Sequence, residues 1–155
     1  MDFKVDSKGF DDFIDKMSVN SENLENNVMK TVKQIAQEIA DDAKDLAPVD
    51  TGHLRENIFS RVVQDGNIIV GEVFSNIEYA AYVEFGTGTV GQSAGLTREG
   101  INLHYRQTPW RYKDEEGNWH YTKGQKPQPF LYPAMKNNED NIKEKLKTAA
   151  VMELR

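Results

Sequence analysis

The 155-residue chain contains no cysteine. That removes thiol catalysis, thiolate metal sites and any disulfide framework, and it fits assembly in a reducing cytoplasm. Long apolar runs are also missing: the longest span a few residues, against the roughly 20 needed to cross a bilayer. Met1-Asp2-Phe3-Lys4 lacks the basic segment and apolar stretch of a secretory signal. Histidine occurs three times, as His53, His104 and His120, with no i, i+4 pair around a glutamate. Metal binding and acid–base use therefore have little support. No Gly-x-Ser-x-Gly elbow is present to hold a nucleophile. Gly86-Thr87-Gly88 lacks the following lysine and preceding apolar strand of a phosphate loop, and reads as a hinge into the next segment.

The charge that is present is uneven. Residues 1–50 hold 6 Lys/Arg against 12 Asp/Glu, while residues 98–126 hold 6 against 4. An acidic chain without a basic stripe is poorly equipped to grip phosphate backbones. Opposite patches on neighbouring subunits suit a self-associating protein, although solvated helix faces account for the same numbers.

Periodicity predicts the elements. Phe3-Lys4-Val5 alternates as a short edge strand. Phe10, Phe13, Ile14 and Met17 space as one helical stripe, and Asn20-Ser21 caps a second helix with Glu22 and Glu25 in its first turn. That helix is the strongest local signal: Leu24, Val28, Val32, Ile35, Ile39, Ala43 and Leu46 form its stripe, with Ala36 and Ala40 leaving room for a close neighbour. Pro48 stops it, giving about 25 residues and roughly 37 Å. Asp50 or Thr51 then caps a short helical turn. Ile58–Val63 and Ile68–Phe74 pair through Asp65-Gly66, with Gly71 marking a bulge or a close backbone approach.

Tyr79 to Phe85 is a compact helical turn closed by Gly86. Glycines at 86, 88, 91 and 95 predict a flexible stretch. Trp110-Arg111-Tyr112 and Trp119-His120-Tyr121 flank a glycine turn as a second hairpin, which by itself is marginal in water and leans on the body or a neighbour. Lys126 to Pro133 is extended, and a terminal helix from about Ala134 places Met135, Ile142, Leu146, Ala149 or Ala150, and Met152 near one face.

Three strings in this order resemble the head–tail connector or tail-completion (neck) family of long-tailed bacteriophages: Ala47-Pro48-Val49-Asp50-Thr51-Gly52-His53-Leu54-Arg55-Glu56-Asn57-Ile58, then Tyr79-Ala80-Ala81-Tyr82-Val83-Glu84-Phe85-Gly86-Thr87-Gly88, then Gln125-Lys126-Pro127-Gln128-Pro129-Phe130-Leu131-Tyr132-Pro133-Ala134-Met135. Their order, after a long amphipathic helix and before a terminal one, makes the likeness specific over nearly the whole chain, residues 89–124 least. The resemblance implies one α+β domain over residues 1–155. Its antiparallel sheet of about four strands packs against the long helix of the N-terminal half and a C-terminal helix, with a loop and hairpin arm at 87–126. It implies no catalysis, cofactor or metal. It implies homo-oligomerisation, as a ring or otherwise, and contact with phage connector, capsid or tail proteins. The location implied is the virion neck or tail end, after assembly in the bacterial host cytoplasm. Membrane contact and specific nucleic-acid recognition are not expected, while DNA passage through an acidic channel is compatible.

The structural motif positions are Asp50, Thr51, Gly52, Leu54, Arg55, Tyr79, Tyr82, Glu84, Phe85, Gly86, Pro129 and Phe130. Among these, Arg55 and Glu84 are expected to pair as a planar fork. Tyr79, Tyr82 and Phe85, at i, i+3, i+6, are expected to pack as core under the sheet. Pro127 and Pro129 tether the last helix. Trp110, Tyr112, Trp119 and Tyr121 are the candidate interface anchors, since Trp and Tyr are enriched at such positions. Two alternatives compete: a prophage-encoded binding adaptor sharing the fold, and a small hydrolase using dispersed carboxylates and His53.

Overall fold

Glu22–Leu46 forms one continuous helix, α1, of 25 residues. The structure, a computed structural model, describes residues 2–6, 22–50 and 52–152. The helix expected around Phe10 to Met17, the cap at Asn20-Ser21, and Thr51 lie outside the described residues. Leu24, Val28, Val32, Ile35, Ala36, Ile39, Ala40 and Ala43 are all buried, as their spacing predicts. Leu46 is the exception, at 45 % exposure. The stripe continues instead from Ala43 to the buried Ala47, whose amide donates to the Ala43 carbonyl at 2.9 Å. Leu46 lies on the stripe by its three-residue step from Ala43, but it is the last residue of α1, where burial passes to Ala47.

The chain divides into two compact units, residues 1–76 with 130–155, and residues 77–129. In the first, β1 (Asp2–Asp6), β2 (Ile58–Asp65) and β3 (Ile68–Ser75) make an antiparallel sheet in the order β1-β3-β2. The architecture is α+β, but the expected sheet of about four strands is corrected to three among the described residues, and the aromatic hairpin pairs as a separate two-stranded sheet in the other unit. The β2–β3 register sets Asp65 opposite Ile68, leaving Gly66-Asn67 as a two-residue loop, and Gly66 takes φ 58° as tight hairpin turns require. Of the two roles open to Gly71, close approach is the one realised. It sits in unbroken register with Val5 and Val62, and a Cβ there would meet Val32 at 3.0 Å and Ala36 at 3.2 Å.

Side chains alternate across the strands. Ile58, Ile69, Val73 and Ser75 are buried on the α1 side, where Ser60 donates to Gln37 at 3.1 Å. The other face carries Phe59 against Phe74, with ring centroids 6.0 Å apart, and Arg61, whose Nε lies 2.5 Å from Glu72 Oε2 while its guanidinium covers the Phe74 ring at 4.9 Å.

The C-terminal part is two helices, α5 (Leu131–Asn137) and α6 (Glu139–Met152), rather than an extended run to Pro133 followed by one helix. Pro133 sits in the first turn of α5, where its missing N–H removes no helical bond. Asn138 makes the break: its amide donates to the Ala134 carbonyl at 2.8 Å, and its own carbonyl accepts from Ile142 at 2.8 Å. The same amide reaches Asp42 at 2.6 Å, and Lys145 lies 2.5 Å from Glu38, so a polar seam fixes α6 beside α1. Leu146, Ala149 and Ala150 bury the expected face, and Phe130, Leu131 and Ala134 are sealed in the core.

Candidate functional site

The second unit is built on a crossing of two main-chain segments. Helix α3 (Ala80–Phe85) ends at Gly86, and α4 (Gly88–Ser93) follows at once. Thr87 N–H donates to the Gln125 carbonyl at 3.0 Å, Gln125 N–H returns to Thr87 Oγ1 at 3.1 Å, and Gln128 N–H donates to Val83 at 2.7 Å. The two strands of chain meet so closely that a Cβ on Gly124 would collide with the Thr87 carbonyl, and one on Gly88 with the Lys123 carbonyl. Gly86, Gly88 and Gly124 all have positive φ as well. These glycines therefore serve close packing, not the flexible hinge their density suggests.

On α3 the expected aromatic stripe is corrected. Ala80 and Glu84, one turn apart, are buried with Phe85, while Tyr79 and Tyr82 are 41 % and 57 % exposed. A six-residue step rotates about 240° around a helix, so Phe85 cannot share a face with Tyr79. The tyrosines instead form one wall of an open groove of about 780 Å³. Thr87, Gly88, Gly124 and Gln125 of the crossing also line it, with His104, Tyr105 and Arg106 from the intervening loop. Tyr105 is anchored by its hydroxyl donating to the Phe85 carbonyl at 3.0 Å.

The hairpin supplies Trp110, Tyr112 and Thr122 to the same groove. It pairs β4 (Trp110–Lys113) with β5 (Trp119–Thr122), setting Trp110 opposite Thr122, Arg111 opposite Tyr121, Tyr112 opposite His120 and Lys113 opposite Trp119. Directly opposed residues share a face. One face thus holds Trp110, Tyr112, His120 and Thr122, and the other holds Arg111, Lys113, Trp119 and Tyr121. Trp119 and Tyr121 are 63 % and 67 % exposed, so the four aromatic residues expected at an interface divide between the hairpin's two faces.

Electrostatics separate groove from tip. Arg106 is a charged side chain lining the groove, its guanidinium 5.2 Å over the Trp110 ring, and no carboxylate among the described residues lines it. The tip is ordered by Asp114, which accepts from Asn118 N–H at 2.8 Å and lies 2.6 Å from His120 Nε2. The His120 contact, helped by the Asn118 amide, holds the Asp114 carboxyl below its ordinary value. His120 stacks on Tyr112 with centroids 5.4 Å apart, linking tip to groove.

The remaining motif positions are scaffold. Asp50 is exposed and does not cap α2 (His53–Glu56); Gly52, at φ 83°, occupies the N-cap without a side-chain bond. Leu54 is buried, and Arg55 donates from Nη2 to the Ala47 carbonyl at 3.5 Å. Arg55 belongs to the first unit and Glu84, fully buried, to the second. Pro129 ends the second unit, and Phe130 enters the first as a sealed core ring. His53 is near Asn57, far in sequence from the groove's His104. Among the described residues no three His, Asp or Glu side chains converge as a metal site, and no helix is long and apolar enough to cross a membrane. Sequence reasoning missed His104, Tyr105, Arg106 and Gln125 as groove residues. It also assigned Tyr79 and Tyr82 to the core, where the Ala80–Glu84 repeat, read as the buried face, gives the opposite orientation.

No curated protein and no solved structure matches the chain. A family model does: residues 11–86 match the HK97-gp10-like family, described as "Bacteriophage HK97-gp10, putative tail-component". The matched span contains α1, the β2–β3 hairpin and the tyrosine helix α3, and it agrees with the resemblance carried by the strings at Ala47–Ile58 and Tyr79–Gly86. The chain is thus similar, over 76 of its 155 residues, to the HK97-gp10-like family of phage proteins.

Proposed function

We propose that the protein is a structural, non-catalytic component of the phage virion that acts at the head–tail junction, completing the tail or joining it to the head. It does so by associating with further copies of itself, in a ring or other homo-oligomer, and with connector, capsid or tail proteins. The match to a phage tail-component family over residues 11–86 supports the structural virion role and a place in the particle. The observation that carries the finer reading is the division of labour within the chain. One unit buries a conventional core, while the other exposes Tyr79, Tyr82, Trp119 and Tyr121, residue types that anchor protein interfaces. The exposed polar surface of α1 and the acidic balance of the chain would let DNA pass without being gripped.

Deleting the gene from the phage that carries it, and viewing the lysate by electron microscopy, tests this reading. Filled heads and separate tails are expected, with whole particles restored by the gene supplied in trans. Normal yields of joined, infectious particles from the deletion would overturn it.

A further inference from the structure

The groove and the hairpin tip are complementary in chemistry, and both stand on the same unit. The groove offers tyrosine and tryptophan rings with Arg106 as its charged lining residue. The tip offers Glu115 and Glu116, both exposed, followed by the exposed Trp119 at the start of β5. None of Glu115, Glu116 or Trp119 lines the groove of its own chain, and Trp119 faces away from it across the hairpin. The unit of residues 77–129 balances 6 Lys/Arg against 6 Asp/Glu, so the acidic surplus of the chain lies outside it. Three of its six acids are consecutive, at Asp114, Glu115 and Glu116.

The tip is also rigid. Asp114 N–H donates to the Asn118 carbonyl at 3.0 Å, Gly117 N–H returns to the Asp114 carbonyl at 3.0 Å, and His120 and the Asn118 amide hold the Asp114 side chain. A preformed loop loses little freedom on docking.

We infer that the hairpin tip of one copy docks in the aromatic groove of the next, with Glu115 and Glu116 meeting Arg106 and Trp119 seated beside Tyr79 and Tyr82. This rests on the self-association proposed above and names its two surfaces. The contact is head-to-tail: each copy offers one tip and one groove, so the arrangement propagates and closes into a ring when the rotation per subunit allows. A second copy is the occupant chosen because the tip supplies the acidic charge that the groove's lining lacks and a ring to pack on the groove's own rings. Being partly ionic, the contact weakens as salt is raised.

The test exchanges charges in the full chain. Variant one carries R106E, and variant two carries E115K with E116K. All three positions are exposed, and circular dichroism of each variant checks that the fold is kept. Light scattering after size exclusion is expected to show a concentration-dependent oligomer for the wild type and an apparent dissociation constant raised about tenfold or more in each variant alone. Mixing the two variants in equal amounts is expected to restore association, because each groove then meets a tip of opposite charge. A wild-type oligomer unaffected by either variant, or a mixture no tighter than its components, would overturn the tip-in-groove contact while leaving self-association standing. A wild type monomeric at its highest soluble concentration would overturn both. Association of the groove only with another phage protein, unaffected by E115K/E116K, would assign it to that partner instead.

Discussion

Gly88 packs directly on the main-chain carbonyl of Lys123, leaving no space for a Cβ, and does so with φ at +60°. The site therefore rests on backbone meeting backbone. G88A and G124A each combine a collision with a left-handed conformation. They are expected to destabilise this unit by about 2–4 kcal/mol, the range in which overpacking and backbone strain add. Both tryptophans, Trp110 and Trp119, lie in residues 77–129, so denaturation followed by tryptophan fluorescence reads this unit. G95A, where a Cβ meets nothing within 4 Å, should cost about 1 kcal/mol, the strain of its positive φ alone.

Phe130 and Trp119 give the contrast between scaffold and working surface. F130A empties a ring with 0 % exposure and should cost about 3–5 kcal/mol. W119A removes a ring that is 63 % exposed and should change stability by less than about 0.5 kcal/mol. Chemical denaturation followed by far-ultraviolet circular dichroism measures both. Equal costs would contradict the assignment of Trp119 to a surface.

Much of the scaffold was legible in the sequence because it depends on local rules. The α1 stripe and the Pro48 stop are matters of period and backbone geometry, and the two hairpins follow from alternation around glycine turns. What was not legible depends on contacts distant in sequence. Nothing near Gly88 announces that Lys123 will pack on it, so a glycine demanded by crowding looked like one supplying flexibility. Tyr79 and Tyr82 looked like core because aromatic rings bury area, and only the burial of Ala80 and Glu84 settles which way the helix faces. The partition of four aromatic anchors between two hairpin faces required the register Trp110–Thr122, which residue identity does not specify. The three strands of the sheet were each legible by alternation, and the count of about four came from the resemblance alone.

Glu38 is held below its ordinary carboxyl value chiefly by the hydrogen bond from Lys145, with Gln34 and Asn141 assisting and partial desolvation opposing. A carboxyl with a depressed folded-state value stabilises the fold above its unfolded value, and that contribution is lost as pH falls through the folded value. The α1–α6 seam should therefore weaken in acid, below the ordinary glutamate value of 4.5. Both partners are about one-third exposed, so screening keeps the effect small, and E38Q should cost less than about 1 kcal/mol at neutral pH. Thermal unfolding of wild type and E38Q from pH 7 to pH 3 checks this. The gap between the two curves should narrow in acid and would widen if the sign were wrong.

Gly71 fixes how closely α1 approaches the sheet, since a Cβ would stand 3.0 Å from Val32 and 3.2 Å from Ala36. G71A should cost about 1–3 kcal/mol as the helix is forced outward. Combining it with A36G, which clears part of that space, should recover less than the full loss because glycine weakens the helix by about 1 kcal/mol. Denaturation midpoints of the single and double variants measure the coupling.

The central claim is that the surface of residues 77–129, and not the scaffold alone, joins this protein to its neighbours in the particle. Complementation of a gene deletion with the Y79A/Y82A variant tests it most directly, because both tyrosines are exposed and line the groove without filling a core. The account predicts a variant that folds and accumulates like wild type yet leaves heads and tails separate by electron microscopy. Full restoration of joined, infectious particles by that variant would contradict it.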